Sequence, residues 1–79
     1  MIVILRAHGL RIVIFTDDHP PPHVHVIGDG QAKIRLAEVG GKPEVLEATG
    51  MKASSLKKAL QAVTDHQEML MERWRQIHG

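Results

Sequence analysis

The sequence predicts a single α+β domain over residues 1–79, a four- or five-stranded, mainly antiparallel meander packed by one long C-terminal helix. Three observations predict it. Up to residue 48, short apolar or alternating runs are separated by breaks rich in Gly, Pro and Asp, the pattern of strands and tight turns. From Ala53 to His78 there is neither glycine nor proline, and apolar residues recur at steps of three and four. A chain of 79 residues has room for only one core, and burying only ~60% of its unfolded surface leaves that core thin.

The elements follow in order. Ile2 to Arg6 is a first strand, and Ala7-His8-Gly9 a turn in which Gly9 is free to take positive φ. Leu10 to Thr16 carries Ile12-Val13-Ile14-Phe15, a run typical of a strand covered on both faces. A proline-rich connector leads to strand His23 to Ile27, the turn Gly28-Asp29-Gly30, and strand Gln31 to Ala37. A two-residue loop here would mix charge and apolar side chains on both faces. A three-residue loop with Gly30 in the left-handed region pairs Ile27 with Gln31, and so places Val24, Val26, Ala32 and Ile34 on one face. His25 then stands opposite Lys33 and His23 opposite Arg35, a basic patch on the other face. After the turn Gly40-Gly41-Lys42-Pro43, Glu44 to Ala48 is a short strand or an extended edge piece, so the sheet occupies about 2–48.

The helix is expected over about 53–78, with Leu56, Leu60, Val63, Leu70, Trp74 and Ile77 on its apolar face and Gln67 filling the gap. A break near Thr64-Asp65 is the alternative, but the unbroken phase favours one helix. Such a helix spans ~39 Å against roughly 23 Å for a seven-residue strand. Its last turns should overhang the sheet. Phe15, Met71, Trp74 and Ile77 are therefore candidates for a partner or homodimer contact, unless they wrap the sheet edge within one chain.

Composition excludes several classes. With no cysteine there is no disulfide, thiolate chemistry or Cys-type zinc knuckle. Net charge is +1 with neutral histidines, which is no polybasic signature for nucleic acid. One Phe, one Trp and no Tyr leave little for aromatic single-strand recognition. The apolar start Met1 to Leu5 is too short for a membrane span and lacks the marks of a signal peptide, so a cytoplasmic protein without membrane association is expected.

Chemistry concentrates in Asp17-Asp18-His19-Pro20-Pro21-Pro22-His23-Val24-His25-Val26. These ten residues hold three of the six histidines and three of the four prolines. Prolines fix φ and remove backbone donors, so the connector is stiff and extended. His23 and His25 project from one strand face. His19, His23 and His25 with Asp18 have metal-ligand character, making a divalent metal the one cofactor to consider. Alternatively, His23 and His25 with Lys33 and Arg35 hold the acid, base and cations that metal-independent RNA cleavage requires. A third reading is structural: the histidines donate to connector carbonyls and Asp17 or Asp18 closes a turn. His8, His66 and His78 are expected to be solvated.

The stretch Ile4 to Phe15, followed by Pro21-Pro22-His23-Val24-His25-Val26 and Gly30 to Ile34, resembles a family of small bacterial proteins of unknown function. Its hallmark is Pro-Pro-His-x-His-Val after a Phe-rich strand. Leu60 to Trp74, with Glu72-Arg73-Trp74, is similar to the family's long terminal helix. Lys52 and Ala53 depart from it, standing where Ser and Pro are usual. The resemblance implies an α+β domain whose members are often encoded beside another small protein, as in a toxin–antitoxin pair. The expected function is accordingly that of a component of such a module, binding a small bacterial partner protein. The alternatives are a ribonuclease toxin using His23 and His25, with RNA as substrate, and a metal-binding module.

Overall fold

Five antiparallel strands follow one another across the sheet in the order β1-β2-β3-β4-β5 in the computed structural model, which describes residues 1–38 and 40–79. They are β1 (Ile2–Ala7), β2 (Leu10–Ile14), β3 (His23–Ile27), β4 (Gln31–Arg35) and β5 (Glu44–Thr49). Two helices follow, α1 (Ala53–Asp65) and α2 (Gln67–His78). None of the described helices is long and apolar enough to cross a membrane.

The β1–β2 turn is tight because both central residues adopt positive φ, 55° at His8 and 73° at Gly9, between paired Ala7 and Leu10. That is the twist a two-residue hairpin requires. The β3–β4 register is the one that segregates the faces: Ile27 pairs with Gln31, Val26 with Ala32, His25 with Lys33, Val24 with Ile34 and His23 with Arg35. Leu10, Ile12, Ile14, Val24, Val26, Ala32 and Ile34 join Ala59, Ala62, Val63, Leu70 and Trp74 in one buried cluster between sheet and helices. Val13, opposite His25 in register, is buried on the other face.

Two expectations are corrected. Gly30 does not take positive φ; the turn is closed by the Gly28 N–H donating to the Gly30 carbonyl at 2.9 Å. Glycine is required there for space, since a Cβ would collide with the Thr49 carbonyl and lie 2.6 Å from the Met51 nitrogen. The long helix is in fact two. His66, at φ −120° and ψ 19°, ends α1, and its N–H is shared between the Ala62 and Val63 carbonyls. Gln67 explains the break. Its Oε1 accepts from the Ala37 N–H at 3.0 Å and its Nε2 donates to the Gly41 carbonyl at 3.2 Å, docking the helix junction onto the β4–β5 loop. The gap in the apolar pattern is a polar anchor, and beyond it Leu70, Met71 and Trp74 are buried in the core. Thr64 donates back to the Leu60 carbonyl at 2.7 Å just before the break.

The weak start of α1 is repaired from a distance. Lys52 offers no side-chain cap, but Asp29 in the β3–β4 turn accepts from the Lys52 N–H at 3.0 Å and the Ser55 hydroxyl at 3.1 Å. A carboxylate there also meets the positive end of the helix dipole. The Lys52 N–H bond is the main reason the Asp29 pKa lies below its usual 3.8.

Two outcomes follow for thermal unfolding. Gly30→Ala should cost about 3 kcal/mol or more by backbone overlap, lowering Tm by more than about 10 °C. Asp29→Asn should lower Tm at neutral pH. The advantage of wild type over that variant is full above pH 3.8 and disappears as the pH falls through the lower folded-state value.

Candidate metal centre

β2 ends at Ile14, and the chain turns back on itself at once. The Asp18 N–H donates to the Phe15 carbonyl at 3.2 Å, while the Phe15 N–H donates to Asp18 Oδ2 at 3.2 Å. This reciprocal pair fixes the Asp18 carboxylate at the mouth of the connector. Prolines then carry the chain, through a cis Pro20–Pro21 bond, to the start of β3. Strand alternation puts His23 and His25 on one face, toward that carboxylate.

Asp18 lies between the two rings. Its Oδ1 is 3.4 Å from His23 Nε2 and its Oδ2 is 3.4 Å from His25 Nε2. One ligand-type atom from each residue falls within 4.8 Å of the others. The site is enclosed: the side chains are 4% (His23), 15% (Asp18) and 20% (His25) exposed. The rings of His23 and His25 meet edge to face at 5.2 Å, with Phe15 edge-on to His25 at 4.6 Å and Trp74 against His23 at 5.1 Å.

The protons are constrained. His23 Nδ1 lies 2.8 Å from the Pro21 carbonyl, which can only accept, so Nδ1 carries the hydrogen. In the neutral ring Nε2 is then an acceptor, 3.4 Å from a carboxylate oxygen that is also an acceptor. A proton or a metal ion between them would turn that approach into an attraction. His25 Nε2 is buried, and its approach to Asp18 brings no hydrogen bond, leaving it without a partner among the described residues. A buried polar atom in that condition costs roughly 1–3 kcal/mol unless something completes it. Burial, partly opposed by the Asp18 charge, holds the His25 pKa below 6.5 and keeps its ring neutral at pH 7.

His19 is exposed and stands outside the converging group. Lys33 is the cross-strand neighbour of His25 and lines a cavity with it and Phe15, its charge opposing protonation of the His25 ring. Arg35 shares the face by register, but its Nε lies 3.8 Å from Glu44 Oε1. Among the candidate partner contacts, Met71 and Trp74 are buried in the chain's own core and Ile77 packs against it, while Phe15 is half-buried beside His25. Met71 and Trp74 are thus committed within the chain, Phe15 and Ile77 only in part, and Met69 is an exposed large apolar side chain of α2. His8 and His66 are exposed as expected, but His78 is half-buried and bonded. No local signal marked it, because its partner Phe15 is 63 residues away.

A small α+β domain with a buried imidazole–carboxylate cluster at the entrance to its third strand is the class these features define. The family model for a domain of unknown function, DUF4160, matches residues 9–75, and the chain belongs to that family. No curated protein and no solved structure matches the chain.

The lowered pKa of His25 has a signed consequence for the metal-free protein. Below pH 6.5 the unfolded chain takes up a proton that the folded ring resists, so stability is full above 6.5 and declines as the pH falls toward the folded-state value. Urea unfolding between pH 7.5 and 5 should show this decline, with a shallower one in His25→Gln.

Proposed function

We propose that this protein is a binding module for a divalent first-row transition metal of the zinc type, held by His23 Nε2, His25 Nε2 and the Asp18 carboxylate. The observation that carries the reading is the pair of imidazole nitrogens that lie 3.4 Å from the oxygens of one carboxylate. His23 is oriented by donation to a backbone carbonyl, and His25 Nε2 is buried with no partner of its own among the described residues. Orientation by a carbonyl on the far ring nitrogen is how metal-binding histidines are usually held. Two imidazoles and a carboxylate suit zinc and its neighbours. Ligands on tetrahedral zinc stand about 3.3 Å apart for the usual bond lengths. Each nitrogen here approaches a different carboxylate oxygen at 3.4 Å and the three ligand atoms lie within 4.8 Å, so the group closes somewhat on binding. Three protein ligands leave a position for water or a substrate, as hydrolytic sites do and closed structural sites do not.

Acid–base cleavage of RNA draws less support, because His23 is buried and its Nδ1 is committed to Pro21. Partner binding within a toxin–antitoxin-like pair is compatible with a metal centre. It rests on the resemblance of the Pro-Pro-His-x-His-Val stretch.

Titration of metal-free protein with Zn²⁺ or Co²⁺ tests the proposal, with Trp74 fluorescence as readout because its ring lies 5.1 Å from His23. One equivalent should bind, and free metal at 100 times Kd should stabilise the fold by about 2.7 kcal/mol. Asp18→Asn and His25→Ala should each weaken binding at least about tenfold, while His19→Ala should not. Absence of stoichiometric binding to folded wild type would overturn the reading.

A further inference from the structure

His78 closes the far end of α2 onto the same centre. Its Nδ1 lies 3.1 Å from the Trp74 carbonyl, within the helix's own last turn. Its Nε2 lies 3.2 Å from the Phe15 carbonyl, across the molecule at the start of the connector. Both oxygens can only accept: a neutral ring donates to one of them at a time, and an imidazolium to both. The ring also stacks on Trp74, centroids 3.7 Å apart and planes at 26°.

Phe15 and Trp74 are the two residues through which this grip reaches the site. The Phe15 carbonyl that receives His78 also receives the Asp18 N–H, and the Phe15 N–H holds Asp18 Oδ2. Its ring lies edge-on to His25, and Trp74 lies against His23. The last turn of α2 thus touches all three ligand residues at one remove. A terminal helical turn is otherwise the part of a fold that opens most readily.

We infer that His78 is a positioning residue of the metal centre, a clasp that holds the end of α2 against the Phe15 peptide and so keeps Asp18, His23 and His25 at ligand spacing. The inference rests on the metal reading above. Residues that orient ligands without touching the metal typically carry 10–100-fold in affinity, and His78 should fall in about that range. A role confined to capping α2 would leave affinity unchanged.

The test is Co²⁺ affinity and visible absorption of full-length wild type, His78→Ala and His78→Gln, beside their thermal unfolding without metal. Glutamine keeps a side-chain N–H able to reach a carbonyl. The expected result is a loss of about tenfold or more in His78→Ala with an altered Co²⁺ spectrum, a Tm close to wild type, and partial recovery in His78→Gln. Equal affinity and identical spectra in wild type and His78→Ala would overturn the clasp while leaving the metal site standing. A loss that merely follows a fall in Tm, with no recovery in His78→Gln, would also overturn it and mark His78 as structural. No Co²⁺ binding by wild type would overturn the metal reading, and the clasp with it.

Discussion

The pairing of β3 with β4 governs the rest of this molecule. Side chains alternate along a strand, so a slip of one residue would carry Val24 and Val26 away from the helices and turn His23 and His25 into the core. In the observed register, Val24 and Val26 face the helices beside Ala32 and Ile34, and the histidines face Asp18. The same hairpin carries Asp29 at its tip, where it caps α1, and Gly30, whose lack of a side chain lets the β5–α1 junction pass close by. Core, helix start and site are thus consequences of one alignment.

The histidine cluster departs from what a core of this size prefers. Burying an imidazole without a full set of partners works against stability, and a small domain has little stability to spare. Here one ring is tied to a connector carbonyl, the other is left incomplete, and both face a single carboxylate. The prolines suit this arrangement. A stiff connector with few backbone donors presents free carbonyls, such as that of Pro21, and loses little entropy when held in place. The histidine-bearing strand and the proline-rich connector are best understood as one device.

The helical layer shows how a polar residue can set tertiary shape. Gln67 interrupts the apolar face of the helical segment, and both ends of its amide are bonded to the backbone around the β4–β5 loop. With the segment divided at His66, Leu70, Met71 and Trp74 enter the sheet's core. Trp74 then reaches His23, and His78 reaches Phe15.

The sequence by itself determined what depends on local period and turn chemistry. That covers the first four strands, the turn at His8-Gly9, the β3–β4 register and the placing of His23 and His25 on one face, because strand alternation and segregation of apolar side chains leave few other solutions; whether the edge piece after Pro43 pairs as a fifth strand stayed open. It also placed the carboxylates of Asp17 and Asp18 beside the histidines, and the Phe15 turn selects Asp18. Only the tertiary structure decided the rest. The break at His66 depends on loop groups about 26 and 30 residues from Gln67. The requirement for Gly30 comes from a neighbouring backbone and not from its own φ. His19 is left out and His78 drawn in because ring contacts arise from chain segments meeting in space, for which linear spacing carries no signal.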